Sequence, residues 1–492
     1  MNIPYYVEMN ARKFAHKEAF VTEHVRYTYA DWNDGACAVA HLFQQEGITK
    51  GDRVALFLPN GYDFAVAYVA ALKLGAMIVP LHVKLTSREV MYILEDSGAC
   101  ALILTEHAKQ AIYLSEYSGK LITTTQMNQT ISSGERWTNE TTTTEETPCT
   151  LLYTSGTTGQ PKGVLLTNRN VLAVAHMICI EMKMNDDTRT LIMLPLSHSA
   201  VLNLFFVSTV LVGGTLVVRE EFHPVVFLET VERERTTHFF GPPVVYLLAS
   251  KVLEQKTYDL QSMQWWVYGG APVSKTEIGY IQKQFQTNHL TAVYGLTEGG
   301  PSGALLFPEE QAEKVGSIGK RASLFTELKV VDYEGNEVAP NEIGEIVIRG
   351  LGVMENYWNR PEETEAVFLD GWLRTGDLAK IDEDGYMWIV DRAKDIIISG
   401  GVNVYPFEVE QEMMKHPAIE AVAVIGVAHP EWGETVKAFY VSSEEIDETE
   451  MKQFLSETLA KFKIPRLYER IDELPRNATG KILKQALKEG KR

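Results

Sequence analysis

Between Asp52 and Leu58 the chain is almost wholly apolar, and Pro59-Asn60-Gly61 closes the run, which predicts a buried strand ended by a turn. The Ala-rich stretch from Tyr62 to Gly75 reads as helix, and Met77 to Leu81 as a strand. Arg88 to Asp96 is helical with Ser87 as N-cap, and Ala99 to Leu104 is another strand. Strands alternating with helices build parallel sheets covered on both faces. The pattern then changes. Glu327 to Asp332 and Gly344 to Arg349 alternate with period two around a turn at Glu334-Gly335-Asn336, which predicts a small antiparallel unit. Beyond Asp391 come a strand at Ile396 to Ile398, the pair Gly400–Gly401 and a helix opening at Pro406. A strand at Ala421 to Val427 and a helix from Glu448 to Phe462 complete an α+β unit of about 100 residues.

The expected fold is α/β: a large N-terminal domain, residues 1–391, of parallel-rich sheets flanked by helices plus the small antiparallel β unit, then a small α+β domain at 392–492. A chain of 492 residues has room for two to four domains at roughly 100–200 residues each. Leu202 to Val218 is the most apolar stretch. It is short for a span of about 20 residues and is broken by Asn203, Ser208, Thr209 and Gly213–Gly214, so it reads as buried core. Cys37, Cys100, Cys149 and Cys179 form no CxxC pair, and the first residues lack the apolar run of a signal peptide; both fit a reduced, cytoplasmic protein.

Charge narrows the partners. The formal net charge is −19, which disfavours nucleic acid and anionic membranes. Lys461 to Arg492 departs from this, with 10 basic and 4 acidic residues, a net of +6. Such an end is either a solvated face or a place where an anionic ligand docks.

The sharpest candidate chemistry is Tyr153-Thr-Ser-Gly-Thr-Thr-Gly-Gln-Pro-Lys162-Gly163, which leaves the apolar pair Leu151–Leu152. Gly156, Gly159 and Gly163 let successive backbone N–H groups turn toward one anion. Thr154, Ser155, Thr157 and Thr158 add hydroxyl donors, and Lys162 adds a point charge. The spacing is not that of a Walker A loop, because Pro161 precedes the lysine and no Gly-Lys-Ser/Thr is present.

This loop resembles the phosphate-binding signature of the adenylate-forming superfamily, which includes acyl-CoA synthetases, peptide-synthetase adenylation domains and luciferases. Further stretches resemble the family's other motifs in order: Tyr27 to Trp32, Leu194 to His198, Gly269 to Pro272, Tyr294 to Glu298, Gly371 to Asp377, Asp391 to Asp395, Ser399 to Pro406 and Asn477 to Lys481. The likeness spans nearly the whole chain. It implies ATP, Mg²⁺ and coenzyme A as ligands, with Glu298 the metal ligand. Asp377 and Arg392 would hold the ribose and phosphate side, Gly269, Gly270, Ala271, Pro272 and Tyr294 would wall the adenine pocket, and Gly295 and Thr297 would join them in binding the nucleotide. His198 is implied as an aromatic gate beside the carboxylate, in preference to a general base. Lys481 would bridge the substrate carboxylate and the α-phosphate. By the same resemblance, the C-terminal domain rotates about a hinge at Lys394 and brings Gly400–Gly401 to a pantetheine tunnel. Three positions depart from the family pattern: Asp391, Val402 and Asn356.

The implied reaction is an AMP-forming ligation of a carboxylic acid to coenzyme A through an acyl-adenylate. Adenylation for a separate carrier protein, an acyl-AMP ligase, an oxidative luciferase and a non-catalytic nucleotide binder are the contrasting readings. A homodimer is compatible with the sequence. His198 to Phe206, Phe239 to Leu248 and Gly299 to Leu306 are the expected acyl-pocket lining. They are apolar and carry no Lys, Arg or Asp, which fits a medium- or long-chain fatty acid first and an aryl acid next.

Overall fold

The structure, a computed structural model, describes residues 1–114, 116–137, 143–155, 160–476 and 482–490. It falls into two compact units. One takes in the described residues up to Leu328 together with Ile348–Leu373; the other takes in Lys329–Val347 and the described residues from Arg374 onward.

The first unit carries two large sheets. One has nine strands, with Glu18–Val21, Thr215–Val218, Arg189–Ile192, His238–Gly241, Trp265–Gly269 and Leu290–Gly295 mutually parallel and antiparallel strands at both edges. The other has seven, with Lys120–Thr123, Ala101–Leu104, Arg53–Phe57, Met77–Pro80 and Pro148–Ser155 parallel. Both contribute to one core: Phe20, Ile192, Leu216 and Val267 from the first sheet join Val54, Leu56, Ile78 and Val164 from the second. These strands are apolar on both faces, as helices on both sides require.

The alternation read from the sequence is therefore present. Tyr62–Leu74 is a helix closed by Gly75 at φ +76°. The helix after it is Ser87–Ser97, and its N-cap is Thr86, one residue before the Ser87 expected. Thr86 wins because its hydroxyl accepts from the Glu89 amide while the Glu89 carboxylate bonds back to Thr86, a closed capping box. Thr28 makes the same box with Asp31, so the Tyr27 to Trp32 motif is a helix start. Leu202 to Val218 is buried core, as expected: a π-helical turn Ala200–Phe206, a helix Val207–Val212 and the strand Thr215–Val218. Among the described residues no helix is long and apolar enough to cross a membrane.

The small sheet of Thr326–Val331, Ile343–Gly350, Phe368–Leu369, Trp372–Ile381 and Met387–Arg392 is the period-two segment, and the division between the units runs through it. The second unit also carries Val402–Val404, Ile397–Ser399, Gly433–Ser442, Ile419–His429 and Leu467–Arg470 as one sheet, with a core of its own around Val409, Met413, Val424 and Leu455. The helix expected to reach Phe462 stops at Ser456, whose hydroxyl donates back to the Gln453 carbonyl and competes with the helical ladder.

Candidate active site

The strands on either side of the phosphate-type loop pair with each other. Pro148–Ser155 runs out, Pro161–Thr167 runs back antiparallel, and Thr154 faces Lys162 across the pair. Gly156, Thr157, Thr158 and Gly159 lie outside the described residues. Gly163 must be small: a Cβ there would sit 2.9 Å from Leu151 Cδ1 on the opposite strand. No helix follows at once: the strand Pro161–Thr167 comes before the helix Asn168–Glu181.

Glu298 comes from the other sheet, on a short turn Thr297–Gly299 just past the strand Leu290–Gly295. Its Oε1 accepts from Tyr357 OH at 3.0 Å and from Thr154 Oγ1 at 3.4 Å, which ties the two sheets together at this point. Thr297 Oγ1 bonds Ser199 Oγ at 2.9 Å, one residue from His198. Gly295 lies under its own returning chain, since a Cβ would meet Pro301 O at 2.1 Å. Gly269 pairs with Val293, so Gly269 to Pro272 and Tyr294–Gly295 leave the same edge of adjacent parallel strands. His198 follows the strand Arg189–Ile192 in the same sense. The structure thus puts Thr154, His198, Gly269 to Pro272 and Tyr294 to Glu298 at or just past the carboxyl ends of parallel strands, where open α/β sheets bind ligands, with Lys162 opposite Thr154 at the start of the antiparallel return strand.

The His198 imidazole is pushed down to about 4 by burial, with His82 adding to the effect, so it is neutral near pH 7. Its Nδ1 accepts from the Ala200 amide at 3.3 Å.

Lys162 is held by residues outside every motif singled out above. Its ammonium pairs with Glu363 and lies 5.3 Å from the Tyr357 ring centroid. Glu363 also pairs with Arg360 at 3.6 Å; Arg360 pairs with Asp96, and Asp96 accepts from Tyr153 OH at 2.7 Å. Asp96 was expected only as the end of a helix. The signal for the rest was the segment Asn356 to Thr364, a Tyr followed by Arg-Pro-Glu-Glu, which opens a helix at Pro361.

In the second unit Asp377 is buried and pairs with Arg392, Nε to Oδ1 at 2.7 Å, directly opposite it on the neighbouring strand. Lys394 is exposed in the turn Ala393–Asp395. Gly400 and Gly401 form the two-residue loop between Ile397–Ser399 and Val402–Val404, at φ +59° and +81°. Lys481 lies outside the described residues. Much of the basic end is spent locally: Lys463 pairs with Glu408, Lys484 with Glu410, and Arg466 stacks over Trp432.

Among the described residues no group of three or more His, Cys, Asp or Glu side chains is placed to hold a metal. A lone carboxylate such as Glu298 suits a Mg²⁺ that arrives on nucleotide phosphates, which needs few protein ligands.

Comparison with known proteins places this arrangement. Residues 7–358 match the family of AMP-binding enzymes and residues 408–481 the AMP-binding enzyme C-terminal domain. A feruloyl-CoA synthase of an Amycolatopsis species is 38% identical over 96% of both chains. A long-chain-fatty-acid–CoA ligase of Mycobacterium tuberculosis is 34% identical over 99% of this chain and 98% of its own. The solved o-succinylbenzoate CoA synthetase of Bacillus subtilis, in complex with its acyl-adenylate, superposes with a TM-score of 0.89 at 30% identity, covering 98% of this chain and 97% of that one. The same synthetase is known with ATP and a magnesium ion, with a TM-score of 0.87 over 98% of this chain and 99% of that one. With both halves matched and close relatives over nearly its full length, the chain belongs to the AMP-binding enzymes, in their acyl-CoA ligase branch.

Proposed function

We propose that this ligase attacks the α-phosphorus of MgATP with an apolar carboxylic acid, releases pyrophosphate, and passes the acyl group from AMP to coenzyme A. The observation that carries the reading is the meeting of Thr154, Lys162 and Glu298 from two sheets at one strand edge. Lys162 and the loop donors hold phosphate oxygens, and the Glu298 carboxylate takes the metal that comes with them. Asp377 accepts from ribose hydroxyls, with Arg392 beside it. Lys481 draws the carboxylate and α-phosphate together, a task of position and charge for which no protein base is needed. His198 is neutral, as a gate beside the carboxylate has to be.

The acid is the finer question. Much of the apolar sequence expected to line an acyl channel is committed to the core: Phe206 packs on Trp32 and Tyr68, and Phe239 on Phe227 and Tyr246. Phe205 stacks on Phe240 with centroids 5.5 Å apart and planes 17° off parallel. The likeness to a feruloyl-CoA synthase supports an aryl acid as the substrate, and the likeness to a long-chain-fatty-acid–CoA ligase supports a fatty acid as the second reading. Pyrophosphate release is measured with a chain-length series of fatty acids and with benzoates and cinnamates, each with and without coenzyme A. Acid-dependent release that ends in a thioester only with coenzyme A is expected. Release without thioester would point to a carrier protein as acceptor, and preference for long fatty acids would sink the aryl assignment.

A further inference from the structure

The Lys162 ammonium already has a carboxylate partner within the protein, so a nucleotide phosphate would compete with that partner for its charge. Lys162 is a compact cation with three donors on a flexible stem, and its side chain is 12% exposed. In the described structure its charge is answered by the Glu363 carboxylate, in the helix Pro361–Val367, with the Tyr357 ring beneath it. The helix is anchored independently of Lys162. Arg360 at its N-cap pairs with Asp96, and the Thr364 hydroxyl accepts from the Tyr357 amide at 3.0 Å and donates to Arg360 O at 2.7 Å. Glu363 is therefore presented to Lys162 by a braced element.

We propose that Glu363 is an internal counter-ion for Lys162 that MgATP must displace, so that it weakens nucleotide binding and sets how much ATP the enzyme needs. The proposal rests on Lys162 contacting phosphate in the reaction proposed above. A phosphate carries more charge than a carboxylate and wins the lysine, but the affinity left over is reduced by the exchange. Once displaced, Glu363 stays paired with Arg360, so no carboxylate is left without a partner. Glu363 is thus a positioning residue; it touches no reacting atom. The opposite role is the rival: that Glu363 aims Lys162 at the phosphates and aids binding.

The two roles give opposite signs. MgATP binding is measured by calorimetry on the full chain, alongside the KM for ATP in acid-dependent pyrophosphate release. Glu363→Gln keeps the shape and removes the charge, and is expected to tighten MgATP binding and lower the KM by about 2–5-fold, the size of a partly exposed ion pair, with kcat little changed. The gain must vanish in a Lys162→Ala background, which a general loosening of the helix would not produce, and Glu363→Asp must restore wild-type affinity. Weaker or unchanged binding in Glu363→Gln, or a gain that persists without Lys162, overturns the counter-ion. A wild-type chain that binds no MgATP overturns the reading on which it rests, and the counter-ion with it; a wild type that binds while Glu363→Gln shows no gain overturns the counter-ion alone.

Discussion

At the scale of single residues, the environment of His198 favours one of two proposed chemistries. A general base works best with a pKa near the working pH, and its loss costs about 10²–10⁴-fold. Burial holds the His198 imidazole at about 4, so it is already neutral well below pH 6.5 and binds a proton too weakly to carry one away. His198→Phe is therefore expected to keep pyrophosphate release within about tenfold of wild type. The acid limb of the rate profile, if one lies near pH 6.5, is expected to remain in the variant, since this imidazole does not titrate there. Loss of more than about a hundredfold, together with loss of that limb, would restore the general base. The same scale explains why some residues at the site were not legible. Glu363 and Arg360 sit in an ordinary Pro-Glu-Glu helix start, and only the spatial approach of Lys162 gives them a role.

Among the elements, legibility followed how local the cause is. Arg53–Phe57, Met77–Pro80 and Ala101–Leu104 were readable because a strand buried on both faces is apolar throughout, and Tyr62–Leu74 because Gly75 stops it. The Ser87 cap failed by one residue and the overlong helix from Glu448 by nearly two turns, because which hydroxyl closes on which amide depends on backbone angles that spacing does not contain. Gly400–Gly401 shows a second limit. Resemblance assigned both to a tunnel, but a two-residue loop with both φ positive requires them for the hairpin alone. The two are not equivalent. A Cβ on Gly400 would lie 2.6 Å from Trp432 Cε3, whereas Gly401 faces open space. Both Ala variants pay for a left-handed backbone, about 1 kcal/mol each. Gly400→Ala is expected to lose about 1–3 kcal/mol more through overpacking against the indole, read by denaturant unfolding of the second unit. Combining it with Trp432→Ala should remove that excess, and equal destabilisation of the two single variants would show that the indole does not constrain the turn. Any test of the tunnel with a bulky residue at Gly401 needs this stability comparison beside it.

For the whole molecule the question is where the chain turns. The division between compact units runs through the small sheet, ahead of the Asp391 boundary that motif order suggested, and leaves Asp377, Arg392 and Lys394 together in the second unit. Lys394 is nevertheless the position we propose for the hinge. It is exposed, in a single tight turn between the strands Met387–Arg392 and Ile397–Ser399. Just before it, the buried Asp391 carboxylate accepts from the amides of Arg392 at 2.7 Å and Phe407 at 2.8 Å, so one side chain pins the segments on both sides of the turn. Rotation at Lys394 would have to release the Phe407 bond. Proline at 394 fixes one φ and so restricts rotation there, at the cost of crowding Ala393 in the turn before it. Lys394→Pro is therefore expected to keep the half-reaction that this arrangement supports and to slow the other by at least about tenfold. The two are separated by hydroxylamine trapping of the acyl-adenylate and by single-turnover thioester formation from supplied acyl-adenylate. A hinge elsewhere predicts no such split: both half-reactions would survive, or both would fall together with the stability of the second unit, and either result would move the joint away from Lys394.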